Sequence, residues 1–415
     1  MSGPPPIPPT VRRNTLLLAM VQAINGAGVQ LVPTFGAIQV VTLLGSAAFA
    51  GLATSLMGLS RALTAYAIGR LSDLWGRKPT LYLGLWLALV GALLIGGATL
   101  MGSLALFVLG VLVFGTGVGA VQQMRVAAAD MYPPSRRGEG LSLVAMGSLL
   151  GAGLSPGLVA LAEGLGRRLE LSEIALAWLL VPLLVLPGFL LVASIRPDPK
   201  RIAQHLEDYY PPGDLQGATP AAGPRGGHQA QPRAAALFSA VAAQGQMVMM
   251  MAMTALALKA LECSLSQISL SVALHVAGMF AFSWPIGRLT DRMGRKPVMG
   301  SGLAVAALGA LLVGLGQGYG AITAGTFLVG LGWSGAFLAA NTMLADVTLP
   351  SERGRATGVL EAWANLSGMA LPILGGLVVE TSDLRALGYF GALLALLPLP
   401  LVYRLREAAP GVFRP

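Results

Sequence analysis

Long apolar runs, each about one membrane thickness in length, alternate with short polar turns along almost the whole chain. A helix that crosses the hydrocarbon core needs roughly 20 apolar residues. Twelve segments meet that length, at about 14–35, 47–69, 79–100, 103–127, 139–163, 172–195, 234–258, 267–287, 297–316, 319–343, 356–379 and 386–405. Between the sixth and seventh, residues 196–233 are rich in proline, glycine and charge and hold no apolar run. The pattern predicts an all-α membrane protein with a first bundle at 14–195, a linker at 196–233, a second bundle at 234–405, and tails at 1–13 and 406–415. The opening MSGPPPIPPT is expected to be a short disordered cytoplasmic tail. Its prolines cannot continue a helix, and no small-residue cleavage site follows the first apolar run.

The polar turns orient the chain. Of 27 Lys and Arg, 21 lie in the tails and the even-to-odd loops, and four (Arg167, Arg168, Lys259, Arg385) in the opposite loops. Arg61 and Arg125 fall inside apolar segments. Basic residues accumulate on the cytoplasmic side, so both termini are expected there, in a multi-pass protein of the inner (plasma) membrane. Composition agrees: 55% of residues are hydrophobic and 11% charged, against about 25% charged in soluble domains. The net charge of +9 sits in short turns without interleaved aromatics, which argues against nucleic acid as a partner. A single cysteine, Cys263, excludes an intrachain disulfide framework and any multi-cysteine metal site. With no phosphate-binding G-x-x-x-x-G-K-[ST] loop, an ATP-driven pump is disfavoured. No nucleophile–base constellation suggests an enzyme.

One polar turn occurs twice. GRLSDLWGRKPT at 69–80 returns as GRLTDRMGRKPV at 287–298, an offset of 218. Asp130, Arg137, Gly138 and Pro156 correspond to Asp346, Arg353, Gly354 and Pro372 at an offset of 216. Two halves of like topology imply a parallel repeat with a site near the membrane midplane. Glycines 69 and 76 are expected to allow close backbone approach and unusual dihedrals. A carboxylate such as Asp73 is favoured beside a helix N-terminus.

These turns, G-x-L-x-D-x-x-G-R-K at Gly69, Leu71, Asp73, Gly76, Arg77 and Lys78 and at Gly287, Leu289, Asp291, Gly294, Arg295 and Lys296, resemble the signature of the major facilitator superfamily. The resemblance covers the chain and is strongest to the twelve-helix proton-coupled drug-efflux branch. It implies twelve transmembrane helices in two pseudo-symmetric six-helix bundles that rock about a central cavity. It also implies that Asp73 meets the start of helix 11 when the cytoplasmic side is shut and that Arg77 pairs with Asp130. Gly69, Asp73, Gly76, Arg77, Lys78, Asp130, Asp291, Arg295 and Asp346 would then form the gate; alternatively the basic residues mark topology alone. The expected partners are a small-molecule substrate and membrane lipid, with the proton as coupling ion, no cofactor and a monomeric state.

Ionisable residues inside spans cost about 2.5–3.5 kcal/mol on insertion scales and are functional candidates by default. They are Arg61, Arg125, His275 and Glu361. Arg61 and Glu361 each lie eight residues from a cytoplasmic marker (Gly69, Arg353), so both sit roughly 12 Å deep. They form either a switching pair, weakened when Glu361 takes a proton, or a permanent one. Arg125, on a face with Phe114, Val118 and Gln122, would hold an anion, relay a proton, snorkel or pair with Asp130. His275 suits proton coupling or hydrogen-bonded packing. By resemblance helices 1, 4, 7 and 10 line the cavity, offering Gln22, Asn25, Gln122, Gln123, Gln244, Gln246, Trp333, Phe337 and Asn341, with Asn365 from helix 11. The run Met247, Met249, Met250, Met251 and Met253 is read as packing or a pliable wall, Met247 and Met251 being the cavity candidates. Thioethers also suit Cu(I), but cysteine and clustered histidine are lacking.

Two departures from the branch stand out. Its helix 4 arginine aligns with Val111, and its helix 5 signature keeps Gly151 and Pro156 but has Ser155, Val159 and Ala160 in place of glycines. The leading expectation is proton-coupled efflux of an amphipathic drug or metabolite. Proton symport importing a nutrient or metabolite, and a non-transporting sensor or scaffold of the same fold, are the alternatives.

Overall fold

The computed structural model describes residues 7–133, 136–211, 230–348 and 353–405. The tail at 406–415, most of the linker (212–229) and residues 1–6 of the first tail lie outside them. The first span is α1 (Pro9–Val29) and α2 (Leu31–Leu44); the second is α3 (Leu52–Trp75), the third α4 (Arg77–Met101), and the fourth α5 (Leu104–Val121) with α6 (Met124–Asp130). Then come α7 (Arg137–Leu169), α8 (Glu173–Leu179) with α9 (Val181–Ser194), and the short α10 (Pro199–Gln204). The second half holds α11 (Ala230–Ala260), α12 (Leu265–Phe280) with α13 (Ser283–Met293), and α14 (Arg295–Leu315). It ends with α15 (Tyr319–Asp346), α16 (Arg353–Thr381), and α17 (Leu384–Leu396) with α18 (Leu399–Arg404).

Among the described residues, eleven helical stretches are long and apolar enough to cross a membrane. The twelfth expected span is α3. Its 24 residues reach about 36 Å, but Arg61 and several hydroxyl residues make it less apolar than the others.

Packing divides the chain into two units, Met1–Leu31 with Leu59–Thr219 and Val32–Gly58 with Pro220–Pro415. The division departs from the expected bundles, because residues 32–58 group with the second. A connecting hairpin explains this. Ala47 N donates to Glu380 Oε2 (2.8 Å) and Ser55 Oγ to Met369 O (2.5 Å). Gly51 lies against the Pro372 backbone, and Gly376 against the Ala47 and Ala48 carbonyls.

In a bilayer, helices gain little hydrophobic drive to associate, so small residues that admit close backbone approach take over. In the first unit Gly84 and Gly91 of α4 meet Val121, Gly117 and Phe114 of α5, while Gly117 meets Ala88. In the second, Gly302 and Gly309 of α14 meet Ala336, Gly332, Gly325 and Val329 of α15. Gly84 and Gly302, and Gly91 and Gly309, are again 218 residues apart.

The proline-rich start behaves differently from the expectation at 1–13. Pro9 occupies the first helical position, where its missing N–H costs nothing, so α1 begins there. Arg13 Nη2 donates to Ser194 O (2.8 Å) and Asn14 Nδ2 to Pro197 O (3.2 Å), tying this start to the end of the sixth span. The stretch 196–211, expected as linker, also belongs to the first unit. Asp198 N-caps α10 through Lys200 N (2.8 Å) and accepts from the first backbone amides of α4, Arg77 N (3.3 Å) and Lys78 N (3.0 Å).

Gly76 and Gly294 hold nearly the same conformation, φ 102° ψ 171° and φ 96° ψ 167°, at the starts of α4 and α14. A side chain there is strained, and at Gly76 a methyl would also press on Asp198. Gly76→Ala is expected to cost about 1–3 kcal/mol, read as a lower unfolding temperature of the purified protein in detergent. Gly69→Ala is the contrasting variant: that glycine is helical with open space beside it. The expected close approach therefore holds at Gly76, and Gly69→Ala should leave the unfolding temperature unchanged.

Candidate functional site

The charged turn of the first unit centres on Arg77, whose side chain is 12% exposed. Its Nε and Nη2 reach Asp130 Oδ2 at 2.9 and 2.7 Å. Its Nη1 reaches Ser72 Oγ at 2.7 Å and Asp73 Oδ1 at 3.0 Å. One guanidinium thus joins the end of α3, the start of α4 and the end of α6. The planar fork of arginine permits this; a lysine point charge does not. Asp73 is largely exposed, and its side chain pairs with this arginine. Lys78 Nζ donates to Ala193 O (3.2 Å) and Ile195 O (2.7 Å), the carbonyl end of α9.

The second unit repeats the arrangement. Arg295 Nε donates to Asp346 Oδ2 (2.7 Å) and Nη1 to Thr290 O (3.3 Å). Lys296 Nζ donates to Tyr403 O and Leu405 O, both at 2.9 Å, at the end of α18. A cation at a helix C-terminus satisfies carbonyls that have no partner within the helix and opposes the dipole. The Asp291 side chain lies outside the described residues.

A second group occupies the fourth span. Three glycines within five residues, Gly115, Gly117 and Gly119, precede a break at Gln122 and Gln123, where Gln123 N bonds Ala120 O and Arg125 N bonds Gln122 O. There Arg61 Nη2 donates to Gln122 Oε1 at 2.7 Å, its side chain lying along Gly119. Ser60 Oγ, 2.8 Å from Thr116 Oγ1, adds a second link between α3 and α5. The face that Phe114, Val118, Gln122 and Arg125 were expected to share is not continuous. Phe114 and Val118 are buried within their own unit, Phe114 edge-on to Trp178 at 5.4 Å. The break ends the stripe before Arg125, which is half-buried on α6.

In the second unit an amide and three aromatic rings come together. Trp333 Nε1 donates to Gln244 Oε1 (2.8 Å). Trp333 stacks on Phe337 with centroids 5.0 Å apart and planes within 16°, and Phe280 meets Trp333 edge-on at 6.1 Å. Asn341 continues the stripe, its Nδ2 donating to Phe337 O (2.9 Å). All five are partly exposed. Phe280 was not foreseen, because nothing in its local sequence marks it.

Other expected residues lie elsewhere. Gln22 is buried and donates to Ser148 Oγ (2.6 Å), and Asn25 is buried nearby on α1. Met247, Met249, Met250 and Met253 are buried, Met249 against Gly375 and Met250 against Gly391, so the methionine run packs its own unit. Met251 is half-buried. Asn365 and Glu361 are exposed on α16. His275 is fully buried between α12 and α15, its Nδ1 2.6 Å from Thr326 O, on a polar seam with Ser271 and Thr323 (3.1 Å). Among the described residues no cluster of His, Cys, Asp and Glu can hold a metal.

Comparisons with known proteins fit this architecture. The model of the Major Facilitator Superfamily matches residues 18–212 and 235–415. The chain is 28% identical to the uncharacterised MFS-type transporter YdeG of Bacillus subtilis over 397 residues, 94% of this chain and 91% of that protein. It is 24% identical to the riboflavin transporter RfnT of Brucella anthropi over 402 residues, 95% of this chain and 96% of that one. Among solved structures it superposes on a D-xylose–proton symporter with a TM-score of 0.69 at 15% identity, covering 95% of this chain and 97% of that one. At that identity the likeness concerns the fold.

The packing of His275 yields a discriminating variant. His275→Phe keeps bulk but removes the bond to Thr326, and is expected to cost about 1–3 kcal/mol in unfolding without moving the pH profile of substrate flux. A displaced profile at unchanged stability would instead place His275 in proton coupling.

Proposed function

This chain belongs to the Major Facilitator Superfamily, and from that premise we propose that it exports an amphipathic organic compound, a drug or metabolite, in exchange for protons. The observation that carries this reading is the wall of Gln244, Trp333, Phe337 and Phe280 in the second unit. Aromatic faces take up flat apolar or cationic groups, and a single amide orients a polar end. The sharing of both charged turns with the drug-efflux branch supports export. The turns, cytoplasmic by their basic residues, act as the latches of the rocking cycle: separation of Arg77 from its carboxylates accompanies the change of state. Glu361 takes the coupling proton, since a carboxylate in a membrane span loses its charge most readily when desolvated.

A second reading is favoured by one comparison. The relative RfnT is named for riboflavin, a flat heteroaromatic compound suited to the same aromatic wall. An importing symporter of an aromatic metabolite would use the same residues with the opposite sign of coupling.

Proteoliposome flux separates the two. With a panel of amphipathic cations, anions, sugars and riboflavin under an imposed pH gradient, export accelerated by inward proton flow supports antiport. Uptake accelerated in the same direction as protons supports symport, and flux indifferent to pH removes the proton from the mechanism. Glu361→Gln should abolish acceleration by the gradient while substrate binding persists; coupled flux at the original level would end its assignment. Trp333→Ala should raise KM about tenfold, equivalent to roughly 1.4 kcal/mol of lost stacking on the substrate, and should also lower the unfolding temperature, because its contacts with Phe337, Phe280 and Gln244 go with it.

A further inference from the structure

A groove of about 460 Å³ runs between α11, α16 and the α17–α18 pair, and Gln244, Trp333, Phe337 and Phe280 are not part of its lining. Phe238 lines it from α11, Trp363 and Ala370 from α16, and Leu397, Pro398 and Leu401 from the broken last span. Pro398 sits at the junction between α17 and α18, where continuous helix stops. The hydroxyl of Ser367, the polar side chain in the lining, is taken up within the protein, with Oγ 2.8 Å from both Val241 O and Ala364 O. Apart from the Trp363 indole N–H, the groove therefore offers a ligand apolar side-chain surface and little for water to bind. Its walls are nonetheless open: Phe238, Trp363 and Leu397 are 55%, 54% and 66% exposed.

All three walls belong to stretches long and apolar enough to cross a membrane, and their exposed apolar side chains suit a hydrocarbon medium. The groove occupies the half of the span nearer the charged turns, since α11 and α16 begin, and α18 ends, at that edge. A cation follows the lining. Leu401 and Arg404 lie three residues apart on α18 and share a face of that helix, and Arg404 is exposed. An apolar slot with an exposed guanidinium one turn beyond its lining complements a fatty acyl chain attached to a phosphate.

We propose that this groove binds an anionic phospholipid of the cytoplasmic leaflet, one acyl chain lying against Trp363, Ala370 and Leu397 and the phosphate on Arg404. Arginine matches phosphate oxygens with a two-pronged fork, and each basic residue at the surface of an anionic leaflet contributes about 1 kcal/mol, near fivefold in affinity. A lipid there would fill the gap left by the break at Pro398 and brace α18, whose carbonyl end also holds Lys296. The inference rests on the membrane placement of the spans and not on the direction or coupling of transport, so either can fail alone.

Native mass spectrometry of the purified full chain with phosphatidylglycerol or phosphatidylcholine of matched acyl chains tests it. The expected result is one phosphatidylglycerol retained in preference to phosphatidylcholine. Arg404→Gln, an exposed position, should weaken retention about fivefold and erase the headgroup preference. Ala370→Phe, filling the groove from an exposed position, should abolish retention of both lipids. Equal retention of the two lipids by the unaltered chain, or undiminished phosphatidylglycerol on Ala370→Phe, overturns the proposal. Displacement of the lipid by a transported amphipathic compound would assign the groove to substrate entry and overturn it as well.

Discussion

A guanidinium taken out of water must be matched by acceptors, and the shape of this protein at its charged edge follows from how Arg77 is matched. The half-buried Asp130 and the buried Ser72 therefore hold the fork, and the exposed Asp73 adds a weaker, solvent-screened contact. That requirement fixes where α3 ends, how α4 begins and where α6 stops. A chain reversal this tight needs Gly76 at a dihedral that other residues resist. Asp198 then closes the exposed start of α4 from a segment more than a hundred residues away. Arg295 and Gly294 repeat the solution, with Asp346 as the acid.

Away from that edge, contact between helices depends on small residues. Hydrocarbon is as apolar as leucine, so burying leucine between helices gains little; bringing backbones together gains dispersion and weak polar contacts. The α4–α5 and α14–α15 pairs show this through glycines that meet the opposite backbone. The same logic explains the methionine run of α11, whose flexible thioethers fill irregular space against Gly375 and Gly391. It also explains the seam between α12 and α15, where Thr323 bonds Ser271 and His275 Nδ1 bonds Thr326. Residues that a hydropathy profile marks as unusual thus divide into two groups: some fasten a bundle, and a smaller number, Gln244 and Trp333 among them, keep an open face.

Chain order and packing order also part company. Residues 32–58 lie in the first half of the sequence yet pack with the second unit, through Ala47, Gly51 and Ser55 against α16. Gly51 and Gly376 make that contact possible by exposing backbone, and Pro372 supplies the surface Gly51 rests on. Such a glycine-mediated contact combines van der Waals surface with hydrogen bonds from Ala47 and Ser55.

The helical class, the spans, the two-fold repeat and the paired charged turns were all legible in the amino-acid sequence, because each rests on a local quantity: apolar length, a glycine-flanked acid and base, or a fixed offset of 218 residues. The packing glycines 84/302 and 91/309 also fall at that offset, whereas the helix start at Asp198 lay in the stretch read as linker. What Asp198 caps was not legible, since the amides of Arg77 and Lys78 come to it only through folding. Nor did periodicity reveal that α5 breaks before Arg125, that Phe280 joins Trp333, or that the methionines face inward. Those facts depend on which side of each helix its neighbours occupy. A span bathed in lipid and a span packed in protein are apolar alike, so only the tertiary structure decides which of their faces is left open.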